Sequence, residues 1–266
     1  MFIPYMGAFN GILDNLSIAD NAVFIFSPYK RLVKNYTGKA IRVQRTTDYT
    51  SKDISFNSDG TINQTELLSF CGAGDGLIEI VYNQAGYNNA IQSTLNNKPK
   101  IVVSGVLQEN GLLFDGVDDY MEATSYAAAN ITFPDISIYI EYINANGINQ
   151  LHFSKNNGIG SIQYGIYYYS VKGNLIFVLN NSFGTGNSSD ITNNTVKGML
   201  SHDGITKKII INDNVYNVGY VASSYTDLGG NLIIGGINSY RLQGNIKCII
   251  LFNSEESNNY DGLKNI

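Results

Sequence analysis

The stretch GLLFDGVDDYMEA (111–123) places three carboxylates, Asp115, Asp118 and Asp119, within five positions of one another. Carboxylates this close can share proton transfer as acid and base. They can also hold a hard cation such as Ca2+ through oxygen, or cap a turn by accepting backbone N–H groups. Asp115-Gly116 is a turn dipeptide, and Tyr120-Met121 resumes a strand-like pattern, so the turn reading is preferred and calcium is the lesser alternative. No metal site and no cofactor is assigned. Other chemistry-bearing residues are few. His152 and His202 stand in no metal-ligand spacing, and both read as surface or satisfied strand positions. Cys71 and Cys248 form no CxxC pair, which excludes structural zinc and leaves a disulfide between them open. There is no GxSxG elbow. The run GAGDG (72–76) lacks the lysine of a phosphate loop and leads into an apolar strand.

These residues must be positioned by strands. The composition, with 19 Tyr, 27 Gly, 4 Pro and only 15% charged residues, is that of strands and turns rather than helices. With 44% apolar residues, the chain of 266 can bury the core of one large sandwich. A net charge of −5 argues against nucleic acid, and the basic stretch KRLVKNYTGKAIRVQR (30–45) reads as a solvated face. No apolar run approaches the ~18 residues of a membrane span, so no membrane insertion is expected. The N-terminus has no basic n-region, and the expectation is a soluble chain starting at its own Met1 without a signal peptide.

Residues 1–27 show no confident element. SPYKRLVKNY (27–36) reads as a short helix, with Ser27 as cap, Pro28 in the first helical position and Gly38 after its end. AIRVQR (40–45) alternates as a half-buried strand, TINQTELLSF (61–70) is a second short helix, and LIEIVY (77–82) is an apolar strand. From about residue 100, short strand candidates recur between Gly, Asn and Asp clusters, which implies a sandwich or barrel. Asp203-Gly204 and Asn212-Asp213-Asn214 are hairpin signals on either side of a strand. NIKCIILFN (245–253) is apolar on both faces, as a central strand would be. The tail SEESNNYDGLKNI (254–266) suits a last helical turn on the surface.

Two sets of segments carry a resemblance. NGLLFDGVDDYMEA (110–123) resembles the opening strand of concanavalin A-like, laminin-G-type sandwiches. SHDGITKKIIINDNVYNVG (201–219) and GNLIIGGINSYRLQGNIKCIILFNSEES (230–257) resemble their closing hairpin and final strands. NAVFIFSPYKRLVKNYTGKAIRVQRTTD (21–48) and LLSFCGAGDGLIEIVYNQAGYNNAIQ (67–92) resemble the N-terminal part of the catalytic domain of α-L-arabinofuranosidase B, and also related segments of tailed-phage virion proteins. The resemblance implies an all-β, concanavalin A-like (jelly-roll) β-sandwich with a few short helices in its N-terminal part. Residues 28–266 would form that single domain, and 1–27 an N-terminal attachment or oligomerisation segment.

A retaining arabinofuranosidase needs two carboxylates about 5 Å apart. The resemblance implies a nucleophilic Glu near LHFSKNNGIGS (151–161), yet no Asp or Glu lies between Glu141 and Asp190. It implies an acid/base Asp where GGINS (235–239) carries Ile237, and no carboxylate lies between Asp227 and Glu255. Asn83 stands where the family motif usually has Asp. The cysteine that resembles Cys71 in secreted members is bridged five residues on, where this chain has Gly76, which suits assembly in a reducing cytoplasm.

Sugar contact would fall to tyrosines. Tyr167 and Tyr169 share one face of a strand, and Tyr225, Tyr240 and Arg241 sit in loops near the closing strands. The expectation is therefore a non-catalytic structural or adhesion protein of a tailed bacteriophage virion, a fibre or decoration. It would be a homo-oligomer contacting other virion proteins and glycans, located in the virion after assembly in the host cytoplasm. The alternative is a glycoside hydrolase with relocated carboxylates, for which Asp190, Asp203 or Asp227 would serve.

Overall fold

The computed structural model describes residues 9–131, 135–145, 150–156, 162–169, 174–179, 182–187, 193–219 and 229–266. The strands in chain order are β1 Ala22–Phe26, β2 Ile41–Arg45, β3 Ser51–Ile54, β4 Gly76–Val81, β5 Ala90–Ile91, β6 Lys100–Val103 and β7 Val106–Leu107. There follow β8 Leu112–Asp115, β9 Met121–Ala123, β10 Asp135–Asn144, β11 Gln150–Asn156, β12 Ile162–Tyr169, β13 Asn174–Leu179 and β14 Ser182–Asn187. The last are β15 Thr195–Asp203, β16 Thr206–Ile211, β17 Asn214–Gly219, β18 Asn231–Ile234, β19 Gly236–Ile237, β20 Tyr240–Arg241 and β21 Gln243–Phe252. The α-helices α1 Ile12–Asn15, α2 Gln64–Cys71 and α3 Tyr260–Leu263 are short.

The pairings resolve into two antiparallel layers, the all-β sandwich expected. One runs β17-β16-β15-β10-β21, with β1 and β8 on the far side of β21. The other runs β14-β13-β12-β11-β18-β9-β5-β4-β2-β3. Strand β6 joins the layers by pairing with both β4 and β8. The alternation of β10 shows the core side: Ile136, Ile138, Ile140 and Tyr142 face the space between the layers. Across that space Phe24 of β1 stacks on Phe153 of β11, with centroids 6.0 Å apart and planes 12° apart.

The outer face of the first layer is also covered. Tyr139, Met199, Cys248, Ile250 and Phe252 pack under Leu13 of α1, Ile18, Leu32, and Tyr260 and Leu263 of α3. This is why β21 is apolar on both faces. It also places α3 against the sheet rather than on the surface, and makes residues 22–26, unassigned from sequence, a buried strand.

The hairpin signals hold. Gly204 sits between β15 and β16 at φ +88, and Asn212 and Asp213, at φ +44 and +71, turn β16 into β17. Helix α2 falls on the expected segment but starts three residues later, because the Asn63 side chain accepts the Glu66 N–H at 3.1 Å and caps it there. The helix expected over 27–36 is absent. Its backbone groups are taken by the buried Gln84, whose amide accepts the Leu32 N–H at 2.7 Å and donates to the carbonyls of Ser27 and Lys30. Ser27, instead of capping, donates to Lys30 O at 2.8 Å. A tertiary partner outbids a marginal local helix.

Cys71 and Cys248 are both buried free thiols. Burial pushes the Cys71 thiol up to about 11, so it behaves as a small hydrophobe. A Cβ built at Gly76 would lie 2.8 Å from Cys71 Sγ, with Val43 and Val102 close behind it. Gly76→Cys is therefore expected to form a disulfide with Cys71 in oxidising buffer, closing a short loop that stabilises by about 2 kcal/mol. Thiol titration and thermal unfolding with and without reductant would check this; two free thiols plus a third after oxidation would contradict it.

Candidate active site

The chain GGINSYR (235–241) folds into the small hairpin β19–β20, and glycine makes it fit. Gly235 and Gly236 take φ +84 and +103, and a Cβ on Gly235 would strike the Phe114 ring at 2.3 Å. Gly235 N donates to His152 O at 3.0 Å, so the hairpin is anchored on β11. The start of one segment for which the arabinofuranosidase resemblance implied a catalytic carboxylate, at His152, thus meets the hairpin that carries Ile237; residues 157–161 lie outside the described residues.

The hairpin carries aromatic contacts to both sides. Tyr240 meets Tyr167 of β12 edge-on, centroids 5.5 Å apart, and the Arg241 guanidinium lies 4.7 Å from the ring centre of Tyr120. Three of the sugar-contact residues nominated from sequence, Tyr167, Tyr240 and Arg241, therefore cluster. The backbone of Tyr169 pairs with Asn174 at the end of β12; its side chain, and Tyr225 altogether, lie outside the described residues.

At this end of the sandwich lie buried polar side chains that the sequence did not signal. The rings of Tyr142 and His152 lie 4.1 Å apart. The Tyr142 hydroxyl, both His152 ring nitrogens and both side-chain atoms of Asn144 have no hydrogen-bond partner among the described residues, and all three side chains are fully buried. Burial drives the His152 pKa down to about 3, so its imidazole is neutral. The expectation of a surface or satisfied histidine is corrected here: its strand points the ring into the interior. His202 is also buried, its Nδ1 accepting the Gly204 N–H at 3.1 Å. A lining of neutral phenol, amide and imidazole suits hydroxyl groups better than charge.

Among the described carboxylates, Glu141 and Asp203 lie elsewhere. Glu141 faces the opposite side of β10, paired with Lys247 at 3.0 Å and Lys197 at 3.7 Å. Asp203 ends β15 at the other end of the sandwich and accepts the N–H groups of Ile205 and Thr206, which hold its pKa down. Asp190 and Asp227 lie outside the described residues.

In the acidic cluster, Asp115 Oδ1 accepts the N–H groups of Val117, Asp118 and Asp119, and Asp119 Oδ2 accepts that of Asp115 at 3.0 Å. The turn reading therefore holds for Asp115 and Asp119. Ligand atoms of all three carboxylates lie within 4.8 Å of one another, on a cleft of about 460 Å³ that also contains Asp75, Lys98 and Lys100. Burial, and then the charge of Asp115, pushes Asp119 up to about 7, so it keeps a proton to near neutrality. One residue on, Tyr120 meets Arg241; two further, Glu122 of β9 is held by the Asn231 amide.

A family model for the catalytic domain of α-L-arabinofuranosidase B matches residues 21–205. The chain belongs to that family. Among solved structures, it is similar to a GH54 α-L-arabinofuranosidase soaked with a cyclic sulfate inhibitor, at 16% identity and TM-score 0.73 over 95% of this chain and 63% of that one. An arabinofuranosidase complexed with arabinofuranosyl-α-1,2-xylobiose gives the same figures. A Trypanosoma rangeli sialidase shares the fold more distantly, at 12% identity and TM-score 0.51 over 68% of this chain and 30% of that one. A search of curated proteins gives no match. The chain thus spans about 63% of the length of the arabinofuranosidases it resembles.

Family membership overturns the expectation of a non-catalytic virion protein and of a non-enzyme. It supports instead the alternative, a glycoside hydrolase of arabinofuranosidase type. The residues taken as empty positions were read correctly from the sequence, but they do not make the chain a virion component.

The two perturbed groups give opposite pH dependences. His152, depressed when folded, gives stability that is lost as pH falls from about 6.5 towards 3. Asp119, raised when folded, gives stability that is lost as pH rises from about 4 through 7. Asp119→Asn is therefore expected to gain on the order of 2 kcal/mol relative to wild type between pH 4 and 8. His152→Gln should show its relative gain in the opposite direction, towards acid. Urea unfolding across that range reads both; pH-independent differences would refute the assignments.

Proposed function

We propose that this chain is a glycoside hydrolase of the arabinofuranosidase type that removes α-L-arabinofuranosyl groups at the end of the sandwich where β19–β20 lies on β11. The observation that carries this is the anchoring of the hairpin on β11 by Gly235 N and His152 O, within a chain of this family. It brings the start of one segment that the family reading makes catalytic against the hairpin that carries the other. The solved relatives are described with an arabinofuranosyl-xylobiose and with 4-nitrophenyl α-L-arabinofuranoside, which supports an α-L-arabinofuranoside as the substrate.

Tyr167, Tyr240 and Arg241 would border the sugar. Ile237 moves no proton, so the acid and base come from other positions. Asp119 and Glu122 flank Tyr120, whose ring stacks the Arg241 of the hairpin. Asp119 supplies the proton to the leaving oxygen, since it alone among the described carboxyls is pushed up to about 7. Glu122, oriented by Asn231, supplies the base or nucleophile.

The test is release of 4-nitrophenol from 4-nitrophenyl α-L-arabinofuranoside and of arabinose from arabinoxylan. Wild type should turn over both, and Asp119→Asn and Glu122→Gln should each lose roughly 10²- to 10⁴-fold in rate. A wild-type chain inert on both substrates would reject the hydrolase reading. Full activity in both variants, with loss in Asp190→Asn or Asp227→Asn, would reject the assignment of acid and base.

A further inference from the structure

At the opposite end of β11 from the hairpin, the side chains form a different surface. Asn156 pairs with Asn231, whose Oδ1 accepts the Ser125 N–H at 2.9 Å. Next to Ser125, Tyr126 donates its hydroxyl to Val23 O at 2.6 Å, which fixes its ring to β1. Tyr87 lies flat on that ring, centroids 5.0 Å apart and planes 9° apart, while remaining 47% exposed.

The loop that carries Tyr87 is held from several sides. Asn83 Oδ1 accepts the N–H groups of Ile25 and Ala85, and Asn89 Oδ1 accepts that of Asn83. Gly86, at φ +82, closes the turn onto Asn83 O, and Asn88 Nδ2 donates to Thr124 O at 3.0 Å. Neither YNQAGYNN (82–89) nor ATSYAAAN (123–130) contains a charged residue. The result is a rigid aromatic plane, already ordered before any ligand arrives, flanked by carboxamides and hydroxyls.

We propose that Tyr87, backed by Tyr126, is an accessory site that stacks a neutral sugar ring of a polysaccharide. The ligand class rests on the hydrolase reading; the site borders the candidate active site, since the Asn231 side chain holds both Glu122 and the Ser125 N–H. An aromatic face that meets the C–H face of a sugar, with amides at its rim for hydroxyls, matches an uncharged glycan. A phosphate or acidic chain would find no cation in either loop. Residues 152 and 156 are about 13 Å apart along β11, so a polymer chain running along that strand would reach from the hairpin towards Tyr87.

The experiment compares wild type, Tyr87→Ala and Tyr87→Phe by affinity electrophoresis in soluble arabinoxylan, alongside turnover of 4-nitrophenyl α-L-arabinofuranoside. Tyr87→Ala should weaken polysaccharide retention about three- to tenfold, while Tyr87→Phe retains it and small-substrate turnover stays at the wild-type rate. Retention lost on Tyr87→Ala in a chain that hydrolyses nothing would support this site and reject the hydrolase reading separately. Unchanged retention in Tyr87→Ala, no retention by wild type, or a Tyr87-dependent shift in molecular mass showing contact between two copies would overturn the proposal.

Discussion

The central position of β21 is the constraint from which the rest follows. It is hydrogen-bonded to β10 on one side and to β1 and β8 on the other, with apolar side chains on both faces. Such a strand must be covered twice. One cover is the second sheet; the other is the N-terminal segment with α1 and the C-terminal α3. Because β21 follows directly on β20, fixing it also fixes where the hairpin 236–241 emerges and lands on β11.

Buried charge and buried neutral polar groups are treated differently. Where charge is buried, it is paired: Glu141 lies against Lys247 and Lys197, and the nearly inaccessible Lys98 reaches Glu79 at 2.9 Å and Gln44 at 2.8 Å. Such pairs offset their own desolvation. At the hairpin end of the sandwich, by contrast, Tyr142, Asn144 and His152 are neutral and lack partners among the described residues.

The acidic turn 115–119 combines two roles that sequence reading treated as alternatives. Asp115 organises the loop by accepting three backbone N–H groups. The same organisation buries Asp119 beside a like charge, which is the physical cause of its raised proton affinity. A turn built for geometry thus yields a carboxyl able to hold a proton near neutrality, next to the aromatic ring that Arg241 covers.

What the sequence determined by itself was what local pattern controls. The hairpins at 203–204 and 212–213, the doubly apolar β21, a short helix at about 61–70, and the all-β class were readable because turn chemistry and strand period are local. The pairing of Tyr167 with Tyr240 was half legible: the residues were nominated, but their contact needs β12 and β20 to meet across more than seventy positions. Only tertiary structure decided the rest. Gln84 took the backbone groups of 27–36 and removed the expected helix, residues 22–26 became a buried strand because β21 offered an edge, and His152 turned inward. Each outcome depends on a partner distant in the chain, and no window of sequence contains both halves of the interaction.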